Sequence, residues 1–243
     1  MEVNQVKNGN YSHYYDFRTS DSRSAILKTL LEALPLNTLS QPSDESLFLL
    51  DVGCNLGHFT AKVKRIVHEV TGRKICAAGL DIDPVLCERA SSAVPDVDFL
   101  CGNILEIATQ RQPEDPIATY VRQHGIAEFD VVCCFSVLMY VHLNGGDEGL
   151  RSALDYLCRR GKVLILELQP WKKYRDQVRR LKRSSGEEYP RYGELAWRGG
   201  CGKLEGFITG HIVENGFELL QESSERTEFD RQLWVFRRKA DHF

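Results

Sequence analysis

The sequence lacks any apolar run that approaches the length of a membrane-spanning helix, about 20 residues. Its amino-terminal stretch, MEVNQVKNGNYSHYYDF, has no apolar core of the signal-peptide kind. The eight cysteines never form Cys-x-x-Cys, which argues against a zinc site and for reduced thiols. We therefore expect a soluble, cytoplasmic protein, with the nucleus as an additional compartment, that uses neither a membrane nor a metal.

An excess of positive charge is also missing, because the formal net charge is −3. A nucleic-acid partner would therefore have to bind a local basic patch. The sequence contains no internal repeat and no low-complexity segment, and its 243 residues suit one domain, or one domain with a small appendage.

The chain does contain a glycine turn between an apolar strand and a helix, in LFLLDVGCNLG at residues 47–57. The strand runs through Asp51 into a turn that holds Gly53 and Gly57, and apolar positions recur at helical spacing over residues 58–70. This arrangement binds nucleotide-type cofactors at the carboxyl end of a parallel sheet.

Three features of this region favour S-adenosylmethionine over a nicotinamide dinucleotide. The glycines are spaced Gly-x-x-x-Gly, with Asn55 where the dinucleotide fingerprint has another glycine. Asp51 would repel a pyrophosphate, but it suits the ammonium group of an amino-acid-like ligand. The second strand, at residues 75–80, leads into Asp81, which places a carboxylate where a ribose diol would lie. Other Rossmann-like uses, or a structural turn without a ligand, are the alternatives.

The rest of the chain alternates strands and helices, which predicts a doubly wound α/β sheet. We predict further strands near 97–100, at 129–135 and at 162–167, and helices at 22–34, 84–93, up to about 124 and at 148–160, with a loop at 140–147. The tail then contains a basic helix at 172–183, a polar insert at 184–203, a helix near 205–215 and strands at 217–221 and 232–237.

Two successive strands at the end of the chain imply an antiparallel edge pair, which is typical of methyltransferases rather than dehydrogenases. The predicted fold class is α/β: a Rossmann-like, class I S-adenosylmethionine-dependent methyltransferase with a mostly parallel seven-stranded sheet. We expect residues 1–21 to form an arm over the active site, and residues 22–243 to form the methyltransferase domain, with the basic helix and insert at 172–203 as part of it.

Four longer strings carry a family resemblance: NGNYSHYYDFR at 8–18, DVGCNLG at 51–57, SVLMYVHLNGGDEGL at 136–150 and ELQPW at 167–171. With them the chain resembles, over nearly its whole length, the Bicoid-interacting family of RNA 5′-phosphate methyltransferases. The resemblance implies S-adenosylmethionine as the cofactor, S-adenosylhomocysteine as its product, and a small RNA with a 5′ phosphate as the partner.

Two branches of that family are candidates. One methylates the 5′-monophosphate of small RNAs such as precursor microRNAs and a histidine tRNA, and the other caps the γ-phosphate of a small nuclear RNA. The strings DIDPVL at 81–86 and QPWKKYR at 169–175 resemble the first branch, whereas YYxxR in the arm and DEGL resemble the second. Met139 stands where the capping enzymes have a lysine, which removes a cation from beside the phosphates. We therefore favour the monophosphate branch.

The cofactor half of the predicted site extends beyond the two strand ends. Asn103 would read the amino edge of adenine. The resemblance adds Arg23, which would pair with the cofactor carboxylate, and Phe135; a solvated helix start and core packing are the respective alternatives. The predicted cofactor-binding residues are Arg23, Asp51, Gly53, Asn55, Gly57, Asp81, Ile82, Asn103, Ile104 and Phe135.

The substrate half should contain phosphate donors, because a phosphate oxygen is already anionic near neutral pH and needs positioning rather than a base. His142 and Asn144 are predicted to donate hydrogen bonds to the terminal phosphate, and they are the predicted catalytic residues. The alternative for His142 is a hydrogen bond to Asp147 that orders the loop.

The remaining RNA contacts are assigned to three segments. Trp171 would stack on the first base, with packing as the alternative, and the amide of Gln169 would bind the phosphate or the sugar. The arm would fold over the 5′ end unless it is a disordered tail, and the basic helix would form an RNA phosphate track unless its cations are merely solvated. The predicted RNA-binding residues are Tyr14, Tyr15, Arg18, Gln169, Trp171, Lys172, Lys173, Arg175 and Arg179.

Functions of two other classes are alternatives. An RNA-binding chaperone with an idle methyltransferase core would have no need of the cofactor carboxylates. A methyltransferase acting on small molecules or proteins would not explain the basic helix. The sequence identifies no protein partner, and we expect a monomer.

Overall fold

The computed structural model describes residues 5–11, 22–35, 38–39, 45–199 and 203–240. The strands are β1 (Ser46–Val52), β2 (Lys74–Asp81), β3 (Asp98–Cys101), β4 (Phe129–Phe135), β5 (Gly161–Glu167), β6 (Phe217–Glu222) and β7 (Leu233–Arg238). The helices are α1 (Gln5–Asn8), α2 (Ser22–Glu32), α3 (His58–Thr71), α4 (Pro84–Ala93), α5 (Ile104–Ala108), α6 (Pro116–Gln123), α7 (Leu138–Arg160), α8 (Trp171–Ser185) and α9 (Lys203–Glu214), with a short 3₁₀ helix at Tyr192–Glu194.

The strands form one sheet in the order β3-β2-β1-β4-β5-β7-β6. β1 to β5 are parallel, and β7 runs antiparallel to both β5 and β6. This confirms the predicted seven-stranded sheet with an antiparallel carboxyl-terminal pair. The strand order reverses between β1 and β4, and open α/β sheets bind their ligands at the carboxyl ends of the strands beside such a switch point.

Helices cover both faces of the sheet, so the central strands are apolar on both sides. All seven residues of β4 are buried. Val131 and Cys133 pack in a cluster with residues of α2 and α3 on one face, and Val132 and Cys134 pack in a cluster with residues of α7 on the other. Both cysteines are free thiols that serve as small apolar residues.

The segment after β4 differs from its prediction. The loop expected at 140–147 is helical, because α7 begins at Leu138 and continues to Arg160, with one non-helical residue at Gly146 (φ 70°). Two glycines of α7 allow close packing against α5, because a Cβ on Gly145 or Gly149 would lie 2.6 or 2.8 Å from Leu105 Cδ1. A glycine pair therefore marks a close helix contact here as well as a kink.

Within the described ranges, no helix is both long and apolar enough to cross a lipid bilayer. The same residues contain no group of three or more His, Cys, Asp or Glu side chains arranged to hold a metal ion.

Candidate active site

A cavity of about 540 Å³ opens at the carboxyl ends of β1, β2 and β4, beside the switch point of the sheet. Its two sides differ in charge. The carboxylates of Asp51 and Asp81 line the side formed by β1 and β2, where Arg23 is also present. The cations of Lys173, Arg180 and Arg231 line the side formed by α8 and the turn before β7, together with the carboxylate of Asp176.

Asp51 lies near the end of β1 and is 3% exposed. Its Oδ2 accepts a hydrogen bond of 2.6 Å from Thr60 Oγ1 in the first turn of α3. Burial raises the pKa of Asp51 to about 6, although the Thr60 hydroxyl and the nearby Arg23 act in the opposite direction. A carboxylate in this position is stabilised by a cationic ligand, such as the ammonium group that the sequence predicted.

Asp81 ends β2 and is held by main-chain donors. Its Oδ2 accepts a hydrogen bond of 2.8 Å from the Asn55 N–H in the glycine turn, and its Oδ1 accepts one of 3.1 Å from the Asp83 N–H. Burial raises its pKa, and these N–H donors offset part of that rise. The turn that supplies the first donor needs left-handed backbone at Gly53 (φ 83°) and Asn55 (φ 51°), which explains why glycine and asparagine stand there.

Arg23 is a buried site residue rather than a solvated helix start. It is 2% exposed, and its guanidinium lies 3.8 Å from the ring centre of Phe59. Its Nη1 lies 3.9 Å from Oε2 of Glu167 at the end of β5. Phe135 packs edge-to-face on Phe59, with ring centres 4.9 Å apart, so this predicted residue both packs in the core and lines the cavity.

Ile82, Asn103 and Ile104 also line the cavity; the sequence assigned Asn103 and Ile104 to the adenine and Ile82 to the cofactor without a specific contact. Asn103 is the N-cap of α5, however, and its Oδ1 accepts the Leu105 N–H at 3.0 Å. The oxygen expected to read the amino group of adenine therefore already caps a helix. Gly57 is not among the lining residues: it precedes α3 with φ 73°, and a Cβ there would lie 2.3 Å from the Phe99 ring.

The amino-terminal residues 8–11 cover part of the cavity. They are fastened by side-chain amides of the body of the protein: Asn55 Nδ2 donates to the Tyr11 carbonyl at 3.0 Å, and Gln177 Nε2 donates to the Val6 carbonyl at 2.6 Å. The predicted contacts of Tyr14, Tyr15 and Arg18 lie outside the described residues.

His142 does not line the cavity, which corrects the prediction that it donates to a phosphate. Its ring is fully buried, with Nε2 2.7 Å from Asp147 Oδ1 and Nδ1 3.2 Å from the Tyr174 hydroxyl. Burial lowers its pKa, so the neutral ring donates from Nε2 to the carboxylate and accepts at Nδ1. Asp147 also accepts the backbone N–H groups of Ala196 and Trp197. The alternative, a histidine that orders this segment through Asp147, matches the geometry.

Asn144 does line the cavity, but its donors are engaged elsewhere. Its Nδ2 donates to the Tyr140 carbonyl at 2.9 Å and to the Lys7 carbonyl at 3.2 Å. One N–H of the amide therefore bonds within α7 and the other holds α1 against α7, and the group left to face a ligand is an oxygen, which cannot donate to a phosphate.

The two residues after β5 have different surroundings. Gln169 is 3% exposed and lines the cavity; its Nε2 donates to the Ser136 carbonyl at 2.6 Å. Trp171 does not line the cavity. Its ring stacks on the ring of Tyr192, with ring centres 5.7 Å apart, and lies tilted beside the ring of Tyr174, with ring centres 5.1 Å apart. Its predicted stacking on a base is therefore replaced by packing against the insert.

The basic helix α8 presents two different faces. Lys173, Asp176, Gln177 and Arg180, at helical spacing, line the cavity. Lys172 and Arg175 are exposed and do not contribute to the cavity. Arg179, Lys182 and Arg183 line a shallow groove that shares Asp176 with the cavity.

Among the cavity residues, the sequence did not single out Ser136 or Arg231, and it included Arg180 only as one cation of the basic helix. The spacing of Arg180 from Lys173 would have found it, because the two are seven residues apart on one helical face. Ser136 has left-handed backbone (φ 65°) at the end of β4, and no residue signal predicts that conformation for serine. Arg231 reaches the site only because β7 folds back antiparallel to β5.

The sheet order and the position of the cavity define the class I methyltransferase fold. A solved structure with this fold is the N-methyltransferase NodS of Bradyrhizobium japonicum in complex with S-adenosyl-L-homocysteine. The two superpose with a TM-score of 0.51 at 17% identity, over 84% of this chain and 83% of that chain. This likeness concerns the fold alone.

The sequence comparisons identify the family. The family model for Bicoid-interacting protein 3 (Bin3) matches residues 129–238. The pre-miRNA 5′-monophosphate methyltransferase of Xenopus laevis is 30% identical over 94% of this chain and 91% of its own length. The RNA 5′-monophosphate methyltransferase of Mus musculus is 33% identical over 100% of this chain and 86% of its own length. The chain belongs to the Bin3 family, as its sequence strings indicated.

A relative from the other branch also matches. The U6 snRNA methylphosphate capping enzyme Amus of Drosophila melanogaster is 32% identical over 79% of this chain and 61% of its own length.

Proposed function

We propose that this protein transfers a methyl group from S-adenosylmethionine to the 5′-monophosphate of a small RNA. The observation that carries the proposal is the cavity that combines two carboxylates at the strand ends with three cations from α8 and the turn before β7, because the proposed cofactor is cationic and the proposed substrate is anionic. The Xenopus and mouse relatives, which match over most of their lengths, are named for this reaction.

The cofactor fits the carboxylate side on the chemistry of its groups. Asp51 would accept the ammonium group, and a cation beside it would offset the burial that raises the pKa of this carboxyl. Arg23 would bind the carboxylate, and Asp81 would accept hydrogen bonds from the ribose hydroxyls. The main-chain donors on Asp81 hold its oxygens in place before any ligand arrives.

When bound, S-adenosylmethionine supplies a methyl group on a positively charged sulfur, which takes up the electron pair of the carbon–sulfur bond as an oxygen attacks in line. The attacking oxygen needs no base, because the second pKa of a phosphate monoester is about 6. The task of the protein is to hold this charged oxygen in line at about 3–3.5 Å from the methyl carbon and to exclude water.

The substrate side supports a 5′ nucleotide. Lys173 and Arg180 reach the cavity from α8, and Arg180 also lies 4.6 Å from the ring centre of Tyr11. The buried Oε1 of Gln169 has no hydrogen-bond partner within the described residues, and an acceptor of this kind suits a sugar hydroxyl better than a phosphate.

A monophosphate fits this side better than a triphosphate. Met139 is 4% exposed and lines the cavity, at the position where the resemblance places a lysine in the capping enzymes. An apolar side chain there gives no charge to additional phosphates.

The proposal is tested with radiolabelled S-adenosylmethionine and one RNA sequence that carries a 5′-hydroxyl, a 5′-monophosphate or a 5′-triphosphate. We expect label on the monophosphate form, at least about tenfold less on the triphosphate form and none on the hydroxyl form. Preferential labelling of the triphosphate would assign the capping reaction instead. Equal labelling of all three would contradict the proposal, because the methyl group would then be on a base or a ribose.

A further inference from the structure

Arg231 is a cation that neither the sequence strings nor the relatives assign to a role. It lies in the turn between β6 and β7, two residues before Leu233, which pairs with Glu167 of β5. Two main-chain hydrogen bonds of 2.8 Å fix this turn: the Thr227 N–H donates to the Arg231 carbonyl, and the Asp230 N–H donates to the Thr227 carbonyl. Asp230 has left-handed backbone (φ 58°), so the turn has a specific shape that aims the guanidinium at the cavity.

The guanidinium is enclosed and only partly used. The side chain is 14% exposed, and its Nη1 lies 3.3 Å from Glu167 Oε2 and hydrogen-bonds to the Ser136 hydroxyl. Its Nε–H is buried and has no hydrogen-bond partner among the described residues. A buried donor without a partner costs free energy, so this N–H suits an acceptor supplied by a ligand.

Arg231 shares its carboxylate partner with a second guanidinium. Glu167 is fully buried, and the same Oε2 faces two guanidinium groups, Arg23 at 3.9 Å and Arg231 at 3.3 Å. Asp51 also lies near Arg23, so Glu167 is the buried carboxylate that Arg231 shares with a second cation. In the proposed site Arg23 faces the cofactor carboxylate, which leaves Arg231 as the cation nearest to the end of β5.

The strand order of the sheet sets the relative positions of Asp51 and Arg231. Asp51 lies near the end of β1, Ser136 follows β4, Glu167 ends β5 and Arg231 precedes β7. These four strands are successive neighbours in the sheet. With strands about 4.8 Å apart, the Arg231 backbone lies about 14 Å along the sheet edge from Asp51, and its guanidinium reaches back to the hydroxyl of Ser136, which follows β4 beside β1. The guanidinium therefore lies at the carboxyl ends of β4 and β5, next to the part of the cavity proposed for the amino-acid end of the cofactor.

We infer that Arg231 binds the terminal phosphate of the RNA and holds it beside Ser136 for methyl transfer. The planar guanidinium can give two parallel hydrogen bonds to two phosphate oxygens, which fixes the orientation of the third. This role replaces the one that the sequence had assigned to His142. It rests on the proposed function, and it adds the residue that recognises the phosphate.

The test compares the binding of two short RNAs to the protein saturated with S-adenosylhomocysteine. The probes are one tetranucleotide with a 3′ fluorophore and either a 5′-monophosphate or a 5′-hydroxyl, and binding is measured by fluorescence anisotropy. The variants are Arg231→Gln, Arg231→Lys and, as the matched control, Arg226→Gln, which changes a half-exposed arginine of the same turn that pairs with Asp230.

We expect the unchanged protein and Arg226→Gln to bind the phosphorylated probe at least about tenfold more tightly than the hydroxyl probe. In Arg231→Gln this preference should fall to about twofold or less. In Arg231→Lys, which keeps the charge but cannot give two parallel hydrogen bonds, the preference should fall to about threefold. The affinity for S-adenosylhomocysteine, measured by calorimetry, should stay within about threefold of that of the unchanged protein. If Arg231→Gln does not fold, the lysine variant carries the test.

A tenfold preference retained in the Arg231 variants would overturn the inference while leaving the proposed function intact. The inference would also fail if the variants lost affinity for S-adenosylhomocysteine and kept the phosphate preference, because Arg231 would then belong to the cofactor. If the unchanged protein itself showed no preference, the proposed function would fail with it.

Discussion

The carboxylate side and the cation side of the cavity are held by different parts of the molecule. Asp51 and Asp81 belong to strands of the sheet, and Asp81 is fixed by two backbone N–H groups. Lys173 and Arg180 project on long side chains from α8, and Arg231 projects from a turn. The first side is therefore preformed for one ligand, and the second relies mainly on side chains that can adjust to a larger one.

This difference implies that the two sides can be disabled separately. The largest effect is expected for Asp81→Ala, because two hydrogen bonds from ribose hydroxyls to a charged acceptor are lost. Each of these hydrogen bonds contributes about 1.5–3 kcal/mol, so the affinity for S-adenosylhomocysteine should fall at least about 100-fold in a calorimetric titration. The affinity for a 5′-phosphorylated RNA should change by less than about threefold.

The control is Asp96→Ala, which removes an exposed carboxylate on the surface. Because Asp81 also accepts the Asn55 and Asp83 N–H groups, the melting temperature is measured alongside. An equal loss of cofactor and RNA affinity at an unchanged melting temperature would contradict the separation of the two sides.

His142→Ala tests the boundary of the cation side, because the structure places this residue behind the cavity rather than in it. The change leaves the Tyr174 hydroxyl and Asp147 without their buried partner, so the free energy of unfolding should fall by about 2–4 kcal/mol. The kcat of the folded variant, measured below its melting range, should remain within about threefold.

His68→Ala, at an exposed position on α3, should change stability by less than about 0.5 kcal/mol. A His142 variant with unchanged stability and a large loss of kcat would restore the role that the sequence predicted.

The pH dependence of cofactor binding tests the role of Asp51 on the carboxylate side. Asp51 must be ionised to attract an ammonium group, and its pKa in the ligand-free protein is about 6. The affinity for S-adenosylhomocysteine should therefore fall as the pH decreases below 6, by up to about tenfold per pH unit. Asp51→Asn should bind weakly at all pH values between 5 and 8, without this slope.

The same raised pKa has the opposite effect on folding of the ligand-free protein. The contribution of Asp51 to stability is complete below its unfolded pKa of about 3.9 and is lost as the pH rises through about 6. Thermal unfolding with and without S-adenosylhomocysteine would measure both trends. A pH-independent affinity in the unchanged protein would exclude Asp51 as the ammonium site.

The smallest effect is expected on the outer face of α8. The variant Arg175→Ala/Arg179→Ala/Arg183→Ala should bind a 20-nucleotide RNA about five- to tenfold more weakly at low salt. The slope of log affinity against log salt should decrease by up to about 0.7 for each phosphate of the single strand that the variant no longer neutralises. A 5′-phosphorylated dinucleotide should be methylated at the original rate, because it does not reach this face.

Arg65→Ala/Arg89→Ala, on the exposed surfaces of α3 and α4, serves as the control. An unchanged salt slope in the triple variant would mean that these cations of α8 are only solvated.

The sequence predicted the carboxylate side more accurately than the cation side, for a physical reason. The glycine turn, Asp51 and Asp81 lie within two adjacent strand ends, so local pattern and sheet geometry are enough to bring them together. The position of Arg231 depends instead on β7 returning antiparallel beside β5, which places residues of the chain terminus next to Ser136.

The predictions for the cation side were wrong where a side chain expected to contact the RNA packs inside the protein instead. The segment expected to be a loop at 140–147 belongs to α7, which kinks at Gly146, and the missing side chain at Gly145 lets Leu105 of α5 approach it. His142 is buried in this helix. Trp171 follows a strand end as a base-stacking residue would, but Tyr192 of the insert covers it. The surroundings of both side chains are set by contacts distant in sequence, which no local pattern records.

The central claim is that the cation side holds a 5′ phosphate that receives the methyl group, and the position of the methyl group in the product tests it most directly. After reaction with a 5′-monophosphate RNA, nuclease digestion and mass spectrometry should find the added methyl mass on the phosphate of the first nucleotide, removable only together with that phosphate. A methyl group found on any nucleoside after the phosphate has been removed would contradict the account.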